Sequence, residues 1–175
     1  MTGRMAVVGS GHWSGHYLGA CRNHRQAEAV AVCNPNLASA QRAARRFDVP
    51  EAVGDIDELL ARADLDAIAI VTPNDSHAKI ATAALEAGKH VLCEKPMARN
   101  VAEATSMKDA ADAAGLVAGI NFTWRHPSAA QYARHLVQSG EIGRIFHVTG
   151  CFLQGFLTNP SVPLMWRLQK VSMHA

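Results

Sequence analysis

Two charged residues stand directly before a proline in this 175-residue chain, at Glu94-Lys95-Pro96. They follow the apolar run His90-Val91-Leu92-Cys93, which indicates the end of a buried strand. The proline restricts the backbone and permits a cis Lys95-Pro96 bond, which would aim the ammonium group into a crevice at the strand end. A cation beside an alcohol stabilises a developing alkoxide. Lys95 is therefore a candidate catalytic residue, and the alternative is an ordinary surface lysine.

A glycine-rich turn, Gly9-Ser10-Gly11-His12-Trp13, follows the apolar run Met5 to Val8 and leads into a predicted helix. In a dinucleotide-binding turn the first glycine permits a tight bend, and the second lets backbone N–H groups approach a pyrophosphate at the helix N-terminus. This context predicts that Gly9, Gly11, His12 and Trp13 bind a cofactor. The alternative is a glycine-rich loop without a ligand.

Asn34 stands at the end of the second predicted strand, where dinucleotide-binding sheets carry an acid that grips the adenosine ribose. An amide can hydrogen-bond a ribose hydroxyl, but it lacks the charge that repels a 2′-phosphate. The choice between NAD and NADP is therefore open. Arg42, Arg45 and Arg46 on the next helix could approach a phosphate, although a solvated basic face explains at least two of them better.

The polar segment Thr72-Pro73-Asn74-Asp75-Ser76-His77 follows the third predicted strand, at the edge where open α/β sheets bind ligands. Thr72 and Asn74 offer neutral donors and acceptors for ribose or phosphate oxygens. His77 could instead be a first-turn residue of the following helix.

The elements that position these residues are indicated by short apolar runs that alternate with alanine-rich stretches. This alternation predicts a doubly wound parallel α/β sheet of the Rossmann type. The predicted strands are Arg4 to Val8, Ala29 to Cys33, Ala67 to Val71, His90 to Leu92, and Leu116 to Ile120. The predicted crossover helices are Leu37 to Phe47, His77 to Ala87 and Val101 to Ala114. Asn36, Asn74 with Asp75, and Asn100 with Glu103 are the expected N-caps.

Beyond residue 121 the alternation stops, and we expect a helix from about Ser128 to Gln138 and a longer strand from Ile145 to Leu153. The predicted domains are residues 1–121, an NAD(P)-binding Rossmann domain, and residues 122–175, the opening portion of an α+β domain.

Composition excludes several classes of protein. Apolar residues make up 49%, charged residues 18%, and the net charge is only +2, so no nucleic-acid partner is expected. The absence of a signal peptide or a long apolar run predicts a cytoplasmic protein with no membrane partner. Four scattered cysteines suit reduced thiols, with Cys33 and Cys93 as core residues. His12 and His16 lack a third ligand, so no metal site is expected.

Residues Asp64 to Pro96, DLDAIAIVTPNDSHAKIATAALEAGKHVLCEKP, resemble the Gfo/Idh/MocA oxidoreductases, named for glucose-fructose oxidoreductase, inositol dehydrogenase and the rhizopine-catabolism protein MocA. The resemblance implies that NAD or NADP is the cofactor and that the segment from Thr72 through Pro73 to His77 lines it. It implies that Lys95 orients a substrate alcohol while Glu94 helps to position the nicotinamide ribose.

The resemblance extends to Phe122-Thr123-Trp124-Arg125-His126, which looks like the segment that crosses between the domains of this family. It also extends to Trp166-Arg167, which resembles a pair near the nicotinamide, so that Arg125, Trp166 and Arg167 become cofactor candidates. Tryptophan and arginine also serve commonly in packing and interfaces.

Family members complete the site with an aspartate and a histidine four residues apart, after the Trp-Arg region, and no such pair follows Arg167 here. The resemblance therefore implies a member truncated within its substrate and oligomerisation domain. The implied activity is hydride transfer between a nicotinamide cofactor and a secondary alcohol of a sugar or polyol. The alternative is a dinucleotide-binding module without turnover, or a truncated gene product, so enzymatic activity and oligomeric state stay open.

Overall fold

The protein was analysed as a computed structural model, which describes residues 2–155, 158, 159 and 161. Its six strands are β1 Gly3–Val8, β2 Ala27–Cys33, β3 Glu51–Val53, β4 Ala67–Ile70, β5 His90–Glu94 and β6 Ala118–Asn121. The helices are α1 Ser14–Asn23, α2 Leu37–Phe47, α3 Ile56–Leu60, α4 His77–Glu86, α5 Val101–Ala114 and α6 Ser128–Ser139. Short 3₁₀ turns occupy Asn74–Ser76 and Thr123–Arg125.

The strands form one sheet in the order β3-β2-β1-β4-β5-β6, and every neighbouring pair is parallel. The chain runs outward from β1 through β2 to β3, and then crosses back to β4 on the other side of β1, which is the doubly wound arrangement of Rossmann sheets. The predicted α/β fold class is confirmed.

Each face of the sheet has its own core, because successive strand side chains point to opposite sides. Val7 and Ala69 pack with the buried residues of α1 and α2, whereas Ala6 and Ile68 pack with those of α3, α4 and α5. The predicted core positions Cys33 and Cys93 are 1% and 0% exposed. Burial raises the pKa of Cys33 to about 11 and that of Cys93 to about 12, with smaller contributions from nearby carboxylates. Both thiols therefore stay protonated near neutral pH.

Two of the three predicted N-caps are confirmed. The Asn36 side chain accepts a hydrogen bond from the Ser39 N–H, and the Asn100 side chain accepts one from the Glu103 N–H. The predicted cap at Asn74 and Asp75 is wrong, because these residues belong to a 3₁₀ turn and α4 has no side-chain cap.

The prediction missed β3 and α3. Glu51–Val53 is too short to show a strand period, and it follows Pro50 at the edge of the sheet. Helix α3 had a readable signal, because the Asp55 side chain caps the N–H groups of Asp57 and Glu58 at its start.

The chain divides into two compact units, the first ending at Asn121 and the second beginning at Phe122. Helix α6 lies where a helix was predicted. The strand predicted from Ile145 to Leu153 is wrong, since the structure has no strand there. A strand needs hydrogen-bonding neighbours, and no partner strand accompanies this segment in the described part of the second unit. No helix in the described ranges is both long and apolar enough to cross a membrane.

Candidate functional site

The candidate residues follow the carboxyl ends of neighbouring parallel strands, which meet at one edge of the sheet. Val8 at the end of β1 is in register with Cys33 of β2 and with Ile70 of β4. On β5, Glu94 is in register with Asn121 of β6. The strand order reverses between β1 and β4, because the chain returns from β3 to the other side of β1, and such a switch point is where open α/β sheets form a ligand crevice.

The two glycines of the turn after β1 do different work. Gly9 has a φ of +107°, and a Cβ built on it would lie 2.7 Å from the Val71 carbonyl oxygen. A Cβ built on Gly11 would meet no heavy atom within 4 Å. Gly9 is therefore required by the packing of β1 against the chain after β4, whereas Gly11 leaves open space beside the main chain.

The N-terminus of α1 follows this turn, and no acidic side chain caps it among the residues that the structure describes. Trp13 occupies the cap position and makes no side-chain cap bond, and the first turn of the helix contains no acidic residue. His12 and Trp13 are exposed, and the Trp13 ring lies 4.9 Å from that of His16, measured between centroids. The N–H groups of Ser14 and His16 donate to the Gly11 and Trp13 carbonyls at 3.2 and 3.0 Å, so it is mainly the helix dipole that favours an anion at this end.

A cleft of about 690 Å³ lies between the glycine turn and α2. Its lining residues are Ser10, Gly11, His12, Ser14, Gly15, His16, Ser39, Arg42, Ala43, Arg46 and Phe47. Of the three arginines on α2, Arg42 and Arg46 line the cleft and Arg45 does not. The lining contains no aspartate or glutamate, so its ionisable groups are basic or neutral.

A chain of three polar side chains joins the end of β2 to this cleft. The Asn34 amide nitrogen donates to the Ser10 hydroxyl at 2.9 Å, and the Ser10 hydroxyl donates to that of Ser39 at 2.8 Å. The Asn34 carbonyl oxygen accepts from the Asn36 N–H at 2.8 Å. These bonds fix the orientation of a neutral residue where many dinucleotide-binding sheets carry a carboxylate.

His77 joins the turn after β4 to the turn after β5. Its ring is fully buried, with Nδ1 2.9 Å from the Pro96 carbonyl oxygen and Nε2 3.0 Å from that of Thr72. The Thr72 hydroxyl accepts from the Ser76 hydroxyl at 2.7 Å, while Pro73 is exposed and Asn74 is half-buried. Both ring nitrogens of His77 thus face main-chain carbonyls, and the histidine holds the Lys95-Pro96 turn against the Thr72 turn.

Glu94 lies in a buried polar cluster at the end of β5. Its Oε1 accepts from the Tyr17 hydroxyl and from the Asn121 amide, both at 2.9 Å, and its Oε2 accepts from the Lys95 N–H at 3.2 Å. The Asn121 amide also donates to the Tyr17 hydroxyl at 2.7 Å. Burial and the bond to Glu94 raise the pKa of Tyr17 well above its ordinary range. The cluster connects β5 with α1 and β6.

Lys95 differs from the adjacent Glu94 in its exposure and in its partners. Its side chain is exposed and has no ion-pair partner within the described residues. The Lys95-Pro96 bond is cis, as the sequence permitted. The ammonium group is therefore available at the carboxyl edge, while the main chain beneath it is held by Glu94 and His77.

Three predicted site residues lie outside the first unit. Arg125 ends the 3₁₀ turn of the second unit, where its carbonyl accepts a hydrogen bond from the Gln131 side chain. Trp166 and Arg167 lie outside the described residues. Within the described portion, no group of three or more His, Cys, Asp or Glu residues is arranged to hold a metal ion.

Sequence reasoning missed four residues that shape the site: Ser10, Ser39, Tyr17 and Asn121. Ser10 lies between the two glycines, and Ser39 is three residues after the Asn36 cap, so both positions were readable in the sequence. Tyr17 and Asn121 gave no signal, because their partner Glu94 is 77 and 27 residues away.

The sheet order, the glycine turn after β1 and the cleft at its carboxyl edge define a dinucleotide-binding Rossmann domain. Residues 3–122 match the family model GFO_IDH_MocA, described as an oxidoreductase family with an NAD-binding Rossmann fold. The chain belongs to this family, as the sequence resemblance implied.

Individual relatives agree with this assignment. The chain is 40% identical to levoglucosan dehydrogenase of Pseudarthrobacter phenanthrenivorans over 143 residues, which are 82% of this chain and 36% of that protein. The crystal structure of an oxidoreductase domain protein from Kribbella flavida is 37% identical, with a TM-score of 0.91 over 98% of this chain and 49% of that one.

Scyllo-inositol dehydrogenase from Lactobacillus casei, solved with bound NAD(H) and scyllo-inositol, is 28% identical, with a TM-score of 0.77 over 82% of this chain and 43% of that one. The chain thus spans less than half the length of each of these relatives.

Proposed function

We propose that this chain binds a nicotinamide dinucleotide in the cleft between the glycine turn and α2. In this proposal it supplies the cofactor-binding part of an oxidoreductase that moves a hydride between the nicotinamide and a secondary alcohol of a sugar or polyol. The supporting relatives are named for such alcohols, levoglucosan and scyllo-inositol, and one of them was solved with NAD(H). A cytoplasmic location stays a prediction.

The open space at Gly11 is the observation on which the proposal depends. No heavy atom lies within 4 Å of the position that a Cβ would take, although the residue adjoins a tightly packed turn. Gly11 and Ser14, the first residue of α1, line the same cleft, and the helix start has no side-chain cap, so its dipole favours a pyrophosphate there. The residues present therefore fit a dinucleotide, which in this family supplies the hydride acceptor or donor.

In this proposal Lys95 contacts the substrate, and Glu94 positions Lys95. Lys95 donates a hydrogen bond to the alcohol oxygen, because its exposed ammonium has no partner among the described residues and follows β5 at the carboxyl edge. A cation there stabilises negative charge on that oxygen as the hydride passes from carbon to the nicotinamide and the hydroxyl proton is released to water. Glu94 acts through the main chain, since its carboxylate accepts from the Lys95 N–H.

The cofactor site is tested with Gly11→Val, measured by calorimetric titration of the chain with NADH and NADPH. We expect at least a tenfold loss of affinity for both, because the new side chain fills the space that the pyrophosphate needs. The free energy of unfolding should change by less than about 1 kcal/mol, since the site is open.

The matched control is Gly19→Val in α1, which also has no neighbour within 4 Å of its Cβ position but does not line the cleft. It should leave both affinities unchanged. Equal affinities for Gly11→Val and the unmodified chain would place the dinucleotide elsewhere.

The hydride-transfer part is tested by NAD(P)H formation with sugars and polyols, in a protein that joins this chain to the remaining part of a full-length relative such as levoglucosan dehydrogenase. We expect Lys95→Ala to lower kcat/KM by about 10²-fold, a usual loss when one donor to a developing oxyanion is removed. Lys79→Ala is the control, because this lysine is also exposed but lies on α4. Equal losses in the two variants would remove Lys95 from the reaction.

A further inference from the structure

Helix α2 presents to the cleft two arginines that have no carboxylate partner among the described residues. Arg42 and Arg46 are four residues apart and both line it, and Ser39 lies one turn before Arg42 on the same side. In the described part of the chain neither arginine has a carboxylate within 4 Å, although Arg4, Arg22, Arg62 and Arg99 all do. The Arg46 guanidinium also lies over the Phe47 ring, 5.4 Å from its centroid, which leaves its charge uncompensated. Two cations without a carboxylate partner in the described residues, beside a cleft that lacks acidic side chains, favour an anionic ligand.

The polar chain from Asn34 prepares one more donor for that ligand. Ser10 accepts from Asn34 and donates its own hydrogen to Ser39, so the Ser39 hydroxyl hydrogen remains free. Asn34 itself brings no negative charge to the end of β2. An acid at that position would bind the two ribose hydroxyls of NAD and would repel a phosphate on the 2′-oxygen.

We propose that the cofactor of this chain is NADP(H), and that Arg42, Arg46 and Ser39 bind its 2′-phosphate. This inference rests on the proposed function and adds the ligand's third phosphate group to it. A phosphate monoester accepts several charge-assisted hydrogen bonds, and arginine guanidinium groups match its geometry. The pyrophosphate needs only the glycine turn and the start of α1, which leaves the α2 arginines for the ribose phosphate.

The test is calorimetric titration of the 175-residue chain with NADPH, NADH and adenosine 2′-monophosphate. We expect NADPH to bind at least tenfold more tightly than NADH, and adenosine 2′-monophosphate more tightly than adenosine 5′-monophosphate. Arg42→Ala and Arg46→Ala should each lower NADPH affinity roughly tenfold and change NADH affinity less than threefold. Arg45→Ala, exposed on the same helix but outside the cleft, should change neither.

A second variant tests the end of β2. Asn34→Asp replaces the amide donor to Ser10 with a carboxylate, and we expect the NADPH to NADH affinity ratio to fall at least tenfold. NADH binding as tightly as NADPH would overturn the inference, and so would equal losses of both cofactors in the two arginine variants. If neither dinucleotide bound the unmodified chain, the proposed function would fail instead.

Discussion

Charged side chains have more protein partners at the amino edge of the sheet than around the cleft and Lys95. At the amino edge, the side chain of Arg4 pairs with Asp64 at 2.7 Å, and Arg62 pairs with both Asp64 and Glu51. Lys89, just before β5, donates from Nζ to the Arg62 carbonyl at 2.6 Å. Three other cations have no carboxylate partner in the part of the chain that is described: Arg42 and Arg46, which lie along α2 beside the cleft, and Lys95, which follows β5 at the carboxyl edge.

This difference distinguishes charged residues that stabilise the fold through protein partners from charged residues whose donors are available to a ligand. The strands are parallel, so a charge placed before a strand reaches one edge and a charge placed after it reaches the other. Partners within the protein use up the donors of the amino edge. At the carboxyl edge the Lys95 ammonium remains available in the described residues, whereas Arg99 pairs with Glu103 and the buried cluster around Glu94 supports the main chain at Lys95.

The largest expected effect is a loss of stability at the turn that follows β1 on the carboxyl edge. Gly9→Ala should lower the free energy of unfolding by about 3 kcal/mol, because the new Cβ would lie 2.7 Å from a main-chain oxygen at a φ that favours glycine. Chemical denaturation measures the loss. Gly11→Ala is the matched control and should change stability by less than about 1 kcal/mol. Similar losses in both variants would mean that the two glycines do not differ as the structure indicates.

The sheet was predictable because its signals are local. Apolar runs, alanine-rich helices and two asparagine caps predicted five of the six described strands and their order along the chain. The strand at Glu51–Val53 was not predictable, since three residues show no period and pairing with β2 decides their conformation. The segment from Ile145 to Leu153 failed for the opposite reason: its composition favours a strand, but a strand also depends on a partner.

The candidate site was predictable at positions where a single residue and its neighbours in sequence indicate the role. Glycine at a tight turn and lysine before a proline can be read singly, and so can Asn34 at a strand end. The roles of Glu94 and His77 depend on partners far along the chain, namely Tyr17 for Glu94 and Pro96 for His77. Sequence reasoning had no means of pairing them, because the sheet brings these residues together only after folding.

A smaller effect should follow at the amino edge. Lys89 is 8% exposed and its ammonium donates to the Arg62 carbonyl. Lys89→Met keeps the buried aliphatic stem and removes this donor. We expect a loss of about 1 to 2 kcal/mol in the free energy of unfolding, the usual cost of a charged hydrogen bond. Dinucleotide affinity should not change, since the residue lies at the other edge. A loss of cofactor affinity without a loss of stability would contradict the division between the edges.

Acid should weaken the amino edge further. The hydrogen bonds from Arg62 and then from Arg4 hold the pKa of Asp64 well below its ordinary range. A carboxylate with a depressed pKa stabilises the fold above its unfolded pKa near 4 and loses that contribution as the pH falls. Urea titrations between pH 7 and pH 2 should show this fall, and Asp64→Asn should flatten it. An unchanged slope in the variant would mean that other carboxylates are responsible.

The smallest expected effect concerns the other lysine of β5. Lys89 precedes this strand and Lys95 follows it, so Lys95→Met is the same substitution at the opposite edge. Lys95 is exposed and its ammonium has no protein partner in the described residues, so we expect a change within about 0.5 kcal/mol in the free energy of unfolding. The measurement is the same denaturation experiment as for Lys89→Met. A loss as large as that of the Lys89 variant would show that Lys95 supports the fold, and would weaken its assignment to a substrate oxygen.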